Sequence, residues 1–351
     1  MKTRTEIHPL PTILSALAAL VLAAFLLWLT GAQPLEAVGL ILEGAFGSAD
    51  KIANTLLAWT PLVLASAGLV VTFAAGMWNI GVEGQIVMGA IAASFVAREV
   101  PGSPWFVVPL TLVAGVIGGS LWAMLAGVLR TKGHVNEIFG GLGLDFVAAG
   151  VAVYLVIGPW ARAGTASTSG TDIFREETWL PTTNMFGTEM PVLAVALALL
   201  ATVTVYYLLR GTRFGLRLKA VGQSPRSAFL LGIPNDRYIL CAFAIGGALA
   251  GIAGAVQATG YHHKLVPSVS GGYGFLGILV VLLAGFSAKW VAPIALFFVT
   301  VSVGSTLMEL RLGLDSAFGG VLQAVIVLFV MFGTAYATER RRRRRAWSFD
   351  P

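Results

Sequence analysis

Residues 52–97 read IANTLLAWTPLVLASAGLVVTFAAGMWNIGVEGQIVMGAIAASFVA, two apolar runs joined by a segment rich in glycine and polar residues. Each run is close to the roughly 20 residues that an α-helix needs to cross a bilayer. Glu83 is the single charged side chain in the stretch. An ionised acid at the bilayer centre costs on the order of 2.5–3.5 kcal/mol, so Glu83 is expected to face a cavity or a partner rather than lipid.

The whole chain is similarly rich in apolar residues and poor in charged ones. Of its 351 residues, 57% are hydrophobic and 11% are charged, whereas soluble domains carry about 25% charged residues. These figures predict an all-α polytopic membrane protein and exclude a disordered chain, a disulfide scaffold and a nucleic-acid-binding domain. About ten transmembrane helices are predicted, at residues 10–30, 52–75, 79–97, 105–129, 134–157, 190–209, 238–260, 274–288, 290–308 and 316–337.

The basic residues orient these spans. With both termini cytoplasmic, 17 of the 23 lysines and arginines fall on the inner side, as the positive-inside rule requires. Six of them, Arg340 to Arg345, lie in a basic cytoplasmic tail at 338–351.

Two loops are longer than a hairpin requires. The outer loop, 158–189, is polar and contains four acidic residues, so it is either a plain connection or a surface for an external partner. The inner loop, 210–237, mixes basic and apolar residues, with Pro225 and Pro234 as helix breakers. It is either an amphipathic surface helix or a docking helix for a cytoplasmic partner.

Polar residues at membrane depth are the candidate pathway or gating residues. In Asn79-Ile80-Gly81-Val82-Glu83-Gly84-Gln85 the two glycines permit a broken helix, a feature of transporter binding sites. If the segment is helical, Asn79 and Glu83 lie one turn apart. Glu83 is then either a gating residue or part of a hydrogen-bonded clamp that holds the break together.

A second polar cluster contains Asn136, Glu137 and Asp145. Glu137 and Asp145 are eight residues apart and share a helix face, and Arg130 and Lys132 are both close enough to Glu137 for a surface ion pair. In the apolar runs, Gly115/Gly119 and Gly247/Gly251 have the spacing that lets helix backbones approach closely.

Catalytic, nucleotide and metal signatures are absent from the sequence. There is no Gly-Lys dipeptide and so no Walker A loop. His262 and His263 are adjacent rather than at metal-ligand spacing. An enzyme is therefore not expected, and if ATP drives this protein, its hydrolysis takes place on another chain.

These motifs resemble the permease subunits of bacterial ABC importers that take up nucleosides and simple sugars. The resemblance rests on Asn79 to Gln85, Val135-Asn136-Glu137-Ile138, Gly215 to Pro225 with Leu231-Gly232-Ile233, and Gly272-Tyr273-Gly274-Phe275. It implies one permease domain over 1–351 in the plasma (inner) membrane, with Phe275 on the substrate pathway. The 210–237 loop resembles the ATPase-coupling loop, with the coupling residues Arg213, Arg217, Lys219, Gly222, Pro225 and Arg226.

The resemblance also implies the partners. These are an ABC ATPase that carries ATP and Mg²⁺, a second and different permease chain, and an outer substrate-binding lipoprotein. Purine nucleosides are the expected substrates and simple sugars the alternative. Asp145, where the family commonly has Asn, Leu276, where Asp is common, and Gly140-Gly141 depart from the family pattern. The rival class is an ion-gradient-driven secondary transporter that uses Glu83 or Asp145.

Overall fold

The computed structural model describes residues 33–162, 169–185, 187–315 and 317–347, with isolated positions between 18 and 31, and only the backbone after 333. The predicted span 10–30 therefore lies mostly outside the described residues.

The described chain is almost entirely helical, with one short hairpin. Its α-helices are α1 (Pro34–Phe46), α2 (Ala49–Ala74), α3 (Val82–Glu99), α4 (Pro104–Thr131), α5 (Glu137–Ile157), α6 (Val192–Gly211), α7 (Arg213–Gln223), α8 (Pro225–Leu230), α9 (Asn235–Val256), α10 (Tyr273–Leu283), α11 (Ala288–Leu312) and α12 (Ala317–Trp347). A 3₁₀ turn (Glu176–Thr178), strands β1 (Thr183–Met185) and β2 (Thr188–Met190), and a π-helical turn (Gln257–Tyr261) complete the elements.

Six described helices are both long enough and apolar enough to cross a membrane: α2, α4, α5, α6, α9 with its π-helical turn, and α11. The predicted all-α membrane fold is thereby confirmed, whereas the total of ten spans and the side of the termini stay predictions. The predicted span 274–288 differs most. Its helix, α10, has 11 residues, about 16 Å, which is too short for a hydrocarbon core of about 30 Å.

The chain forms two compact units, residues 1–55 with 296–351 and residues 56–295. In the first unit, α1 packs on α11 through glycine. A Cβ atom on Gly44 would lie 2.9 Å from the Cα of Gly304, so the two backbones are in direct contact. The side chains of Leu27, Ala37, Ile41, Met308 and Leu322 form the buried cluster of this unit.

In the second unit, α4 and α9 meet along the predicted glycine pairs. A Cβ atom on Gly115 would lie 2.7 Å from the carbonyl oxygen of Gly251, and one on Gly119 would lie 2.6 Å from the Cα of Gly251. Gly247 also contacts Gly119. The prediction that these pairs allow close helix packing is confirmed.

The outer loop is ordered against the end of α9. The backbone amide of Phe174 donates to the carbonyl oxygen of His263 at 2.7 Å, and that of Leu180 donates to Thr259 at 3.1 Å. The hairpin follows, with Asn184 paired with Glu189. The described part of the loop therefore covers the π-helical turn.

Glycine packing between α4 and α9 is testable with a matched pair of variants. Gly119→Ala is expected to lower thermal stability, because overpacking of a tight contact costs about 1–3 kcal/mol. Gly150→Ala on α5, where a Cβ atom would have nothing within 4 Å, is expected to leave the melting temperature unchanged or slightly higher. Thermal unfolding in detergent checks both, and equal melting temperatures would contradict the packing.

Candidate functional site

The motif at residues 79–85 lies where the helical backbone is broken. Helix α2 ends at Ala74, and Gly76 follows in a left-handed conformation with φ of 77°. Helix α3 begins only at Val82. Asn79 is therefore outside the helix, and of the two conformations that the sequence left open, the structure has the broken helix.

The side-chain amides of Asn79 and Gln85 hydrogen-bond to each other across this break. The Nδ2 of Asn79 donates to the Oε1 of Gln85 at 3.1 Å, and the Nε2 of Gln85 donates to the Oδ1 of Asn79 at 2.8 Å. Both residues are 1% exposed. A buried amide needs partners, and each of these two side chains supplies them for the other.

Asp145 caps the start of α3. Its Oδ1 accepts the backbone amide of Gly84 at 2.7 Å, one of the first amides of α3, which lack a partner within the helix. A Cβ atom at Gly84 would lie 2.8 Å from the same oxygen and 3.0 Å from the Cα of Asp145, so glycine allows α3 and α5 to pack closely here. Asp145 is buried, and its Oδ2 has no hydrogen-bond partner among the described residues.

Glu83 in turn caps the start of α10. Its Oε1 accepts the amide of Gly272 at 3.0 Å, and its Oε2 accepts the amide of Gly274 at 2.7 Å. Gly272 is the N-cap and has φ of 75°, a conformation that glycine adopts without strain. A carboxylate at this position satisfies two free amides and the positive end of the helix dipole.

These two caps join three helices at one place. Asp145 of α5 holds the first turn of α3, and Glu83 in that turn holds the first turn of α10. Both helices start after non-helical backbone, at 75–81 and 262–272. Irregular backbone at membrane depth is tolerated where protein groups satisfy it, and the two carboxylates do so here.

The side chains of the other predicted pathway residues make none of the described hydrogen bonds to Glu83 or Asp145. The Oδ1 of Asn136 accepts the amide of Ile138 at 2.9 Å and caps α5. Glu137 forms the predicted ion pair with Arg130 at 3.0 Å. Phe275 is exposed on the first turn of α10.

The sequence reasoning missed Gln257, which begins the π-helical turn and is 3% exposed. Its side chain hydrogen-bonds Tyr273 at the start of α10, and its Oε1 has no partner within the described part of the chain. An isolated glutamine in an apolar run was the available signal. Turns of the π type are frequent at functional sites.

The inner loop forms two short helices, α7 and α8. The hydroxyl of Thr212 caps α7 by accepting the amide of Gly215 at 3.0 Å, and Pro225 is the first residue of α8. Leu218 and Val221 are buried, while Arg213, Arg217 and Arg226 are exposed. The loop therefore presents one apolar face inward and its arginines outward.

Two of the predicted coupling residues are engaged within this unit. The Nζ of Lys219 donates to the carbonyl oxygen of Leu209 at 2.6 Å, in the last turn of α6. Burial lowers the pKa of Lys219, and the charge of Arg210 adds to this shift. A Cβ atom on Gly222 would lie 2.8 Å from the nitrogen of Gly76, so α7 touches the broken segment backbone to backbone.

Comparison with known proteins places the chain among transporter subunits. The family described as branched-chain amino acid transport system / permease component matches residues 51–331. The chain is 31% identical to the glucose ABC transporter permease protein TsgB13 of Haloferax volcanii, over 91% of this chain and 86% of that protein.

Two Bacillus subtilis proteins and one solved structure are also similar. The chain is 26% identical to the guanosine ABC transporter permease protein NupP, over 92% of this chain and 93% of NupP. It is 24% identical to a second such permease protein, NupQ, over 70% and 79%. A chain of PsaBC from Streptococcus pneumoniae, solved with a Fab, has a TM-score of 0.50 at 12% identity, over 84% of this chain and 95% of that one. At this identity the likeness is one of fold.

The amide pair is testable by a double-mutant cycle. Asn79→Ala and Gln85→Ala are each expected to cost about 1–3 kcal/mol, because each leaves a buried amide without its partner. The double variant is expected to cost little more than one single variant. Thermal unfolding checks the cycle. As a control, Asn136→Ala is combined with Gln85→Ala, and the two losses of unfolding free energy should add. If the losses of Asn79→Ala and Gln85→Ala also add, the two side chains are not coupled.

Proposed function

Because the chain belongs to the family of permease components of branched-chain amino acid transport systems, we propose that it forms the transmembrane pathway of an ATP-driven importer for nucleosides or simple sugars. The match over residues 51–331 is the observation that carries this proposal. The chain is an ABC transporter permease, a multi-pass protein of the inner membrane, and ATP hydrolysis belongs to a separate ATPase chain. Family membership also sets aside the ion-gradient-driven alternative.

The assembled importer contains the ATPase with its ATP and Mg²⁺, an outer substrate-binding lipoprotein and a second permease. The chain matches NupP over 92% of its length and NupQ over only 70%. This difference supports a heterodimer in which the present chain is the NupP-like partner.

We place ATPase docking on α7 and α8. Beside the exposed Arg213, Arg217 and Arg226, this surface exposes Phe229, Leu230 and Leu231, with Leu230 at 85%. Large apolar side chains exposed together on a protein surface mark interaction sites. Lys219 and Gly222 are proposed to act within the chain rather than by contacting the ATPase. Lys219 anchors α7 to α6, and Gly222 touches Gly76.

The contact between Gly222 and Gly76 supports a route from the ATPase to the pathway. A push on α7 reaches the segment at 75–81, whose shape is kept by the Asn79–Gln85 pair. That segment leads directly into Glu83 and so to α10. Glu83 is thus proposed as a gating residue and Asp145 as the group that keeps α3 in place. Asn136, Glu137 and Phe275 are proposed to line the pathway.

The caps also bear on the substrate. Free helix N-termini inside transporters bind anionic groups of substrates, but carboxylates of the chain itself occupy those of α3 and α10. This arrangement supports an uncharged substrate. NupP is named as a guanosine permease and TsgB13 as a glucose permease. Guanosine and glucose are both uncharged and rich in hydroxyl groups. We place purine nucleosides first and simple sugars second.

Purification from native membranes tests the assembly and the substrate together. We expect an ABC ATPase and a second permease to copurify, and ATP-dependent uptake of labelled guanosine by proteoliposomes that contain the complex and its binding protein. Excess unlabelled inosine should reduce the uptake, whereas leucine should not. Competition by leucine but not by inosine or glucose would contradict the substrate class, and a chain without an ATPase would contradict the assembly.

Charge reversal tests the docking surface. Arg217→Glu with Arg226→Glu is expected to lower ATPase copurification at least tenfold at physiological salt. Lys132→Glu, an exposed basic residue in another loop predicted to lie inside, is the matched control and should leave copurification within twofold. Equal recovery of the ATPase with all variants would remove these arginines from the docking role.

The gating role of Glu83 is tested by Glu83→Gln. Glutamine keeps the size but offers one acceptor oxygen instead of two, so the start of α10 loses half of its cap. We expect ATP-driven uptake to fall at least tenfold while the complex still assembles. Glu36→Gln, the same change at an exposed acid of α1, should keep uptake within twofold. Normal uptake with Glu83→Gln would refute the gating role.

A further inference from the structure

An open apolar groove lies on the surface of α3, α4 and α5. Its volume is about 480 Å³, within the range of ligand sites. Every lining residue is apolar, and the lining includes Met88, Phe95, Ile117, Gly118, Leu155 and Trp160. Phe95 and Ile117 are each more than half exposed. The groove is therefore an apolar surface that membrane lipid or another subunit covers.

One end of the groove carries an incompletely paired cation. The guanidinium of Arg98 lies 5.1 Å from the ring centre of Trp160, and its Nη1 is 3.5 Å from the Trp160 carbonyl oxygen. The Nε of Arg98 is buried and has no acceptor among the described residues. The described carboxylates form no ion pair with Arg98. A buried guanidinium nitrogen without an acceptor is costly.

A second arginine at the same end of α3 is already engaged. The Nη2 of Arg175 donates to the carbonyl oxygen of Val100 at 2.6 Å and lies 3.3 Å from that of Ala97. Arg175 thus caps the C-terminus of α3 and adds positive charge beside Arg98. The donor without an acceptor at this end of α3 is therefore the Nε of Arg98.

An apolar groove that ends at a cation matches the chemistry of a lipid. We propose that the groove binds one anionic phospholipid, with an acyl chain along Ile117 and Phe95 and the phosphate on Arg98. Arg98 as a whole is partly exposed, and phosphate oxygens accept from its terminal guanidinium nitrogens in charge-assisted hydrogen bonds. Trp160 beside the phosphate fits the enrichment of tryptophan at the membrane interface. A helix of the second permease would fill the groove but would leave Arg98 without an anion.

Native mass spectrometry of the full-length protein, with the subunits that copurify, tests the site. The probes are dioleoylphosphatidylglycerol and dioleoylphosphatidylcholine, added in mild detergent. We expect the wild type to retain one phosphatidylglycerol per chain with at least a tenfold preference over phosphatidylcholine. Arg98→Gln should reduce that preference to twofold or less. Arg162→Gln, at an exposed arginine paired with Asp172, is the control and should keep it.

A second variant and a cross-link keep the proposal falsifiable if Arg98→Gln fails to fold. Ile117→Trp fills the groove from an exposed position and should reduce binding of both lipids at least fivefold. A photo-reactive residue at Phe95 should cross-link to phospholipid in membranes. Cross-linking to the second permease, or equal lipid binding by all variants, would overturn the lipid site.

Discussion

The carboxylate of Glu83 at the N-terminus of α10 is the interaction on which the site depends. It satisfies the amides of Gly272 and Gly274 where non-helical backbone leads into α10. In a low-dielectric interior such amides are costly unless they are paired. Glu83 itself needs donors, because an ionised acid at this depth is equally costly. The acid and the short helix therefore stabilise each other.

From this pair the contacts extend in two directions. Toward α5, Asp145 holds the turn of α3 that carries Glu83. Toward the inner loop, the segment at 75–81 leads to Gly76, which touches Gly222 of α7. The elements between α7 and α10 thus meet through backbone contacts and through the hydrogen bonds of Asn79, Gln85 and Glu83. This is the physical basis for proposing that a movement of α7 reaches α10.

The sequence was sufficient for features that depend on composition and short spacing. The apolar runs predicted the helical membrane fold, the Gly115/Gly119 and Gly247/Gly251 pairs predicted close helix packing, and the basic residues before Glu137 predicted its ion pair. It could not identify the partner of Glu83, because backbone amides at Gly272 and Gly274 have no side-chain signature and lie 189 and 191 residues away. The sequence also predicted too long a helix at α10, because Ala284 and Phe286 continue the apolar run. The backbone turns at this point, with φ of 59° at Gly285 and 60° at Phe286.

Hydrogen exchange of the amides of Gly272 and Gly274 tests the central claim most directly. Neither amide has an acceptor within its helix, so slow exchange at these positions requires the carboxylate of Glu83. The account predicts protection of both amides in the assembled wild-type complex, at least tenfold faster exchange with Glu83→Gln, and unchanged exchange with Glu137→Gln. Equal exchange in the wild type and Glu83→Gln, at equal melting temperature, would contradict it.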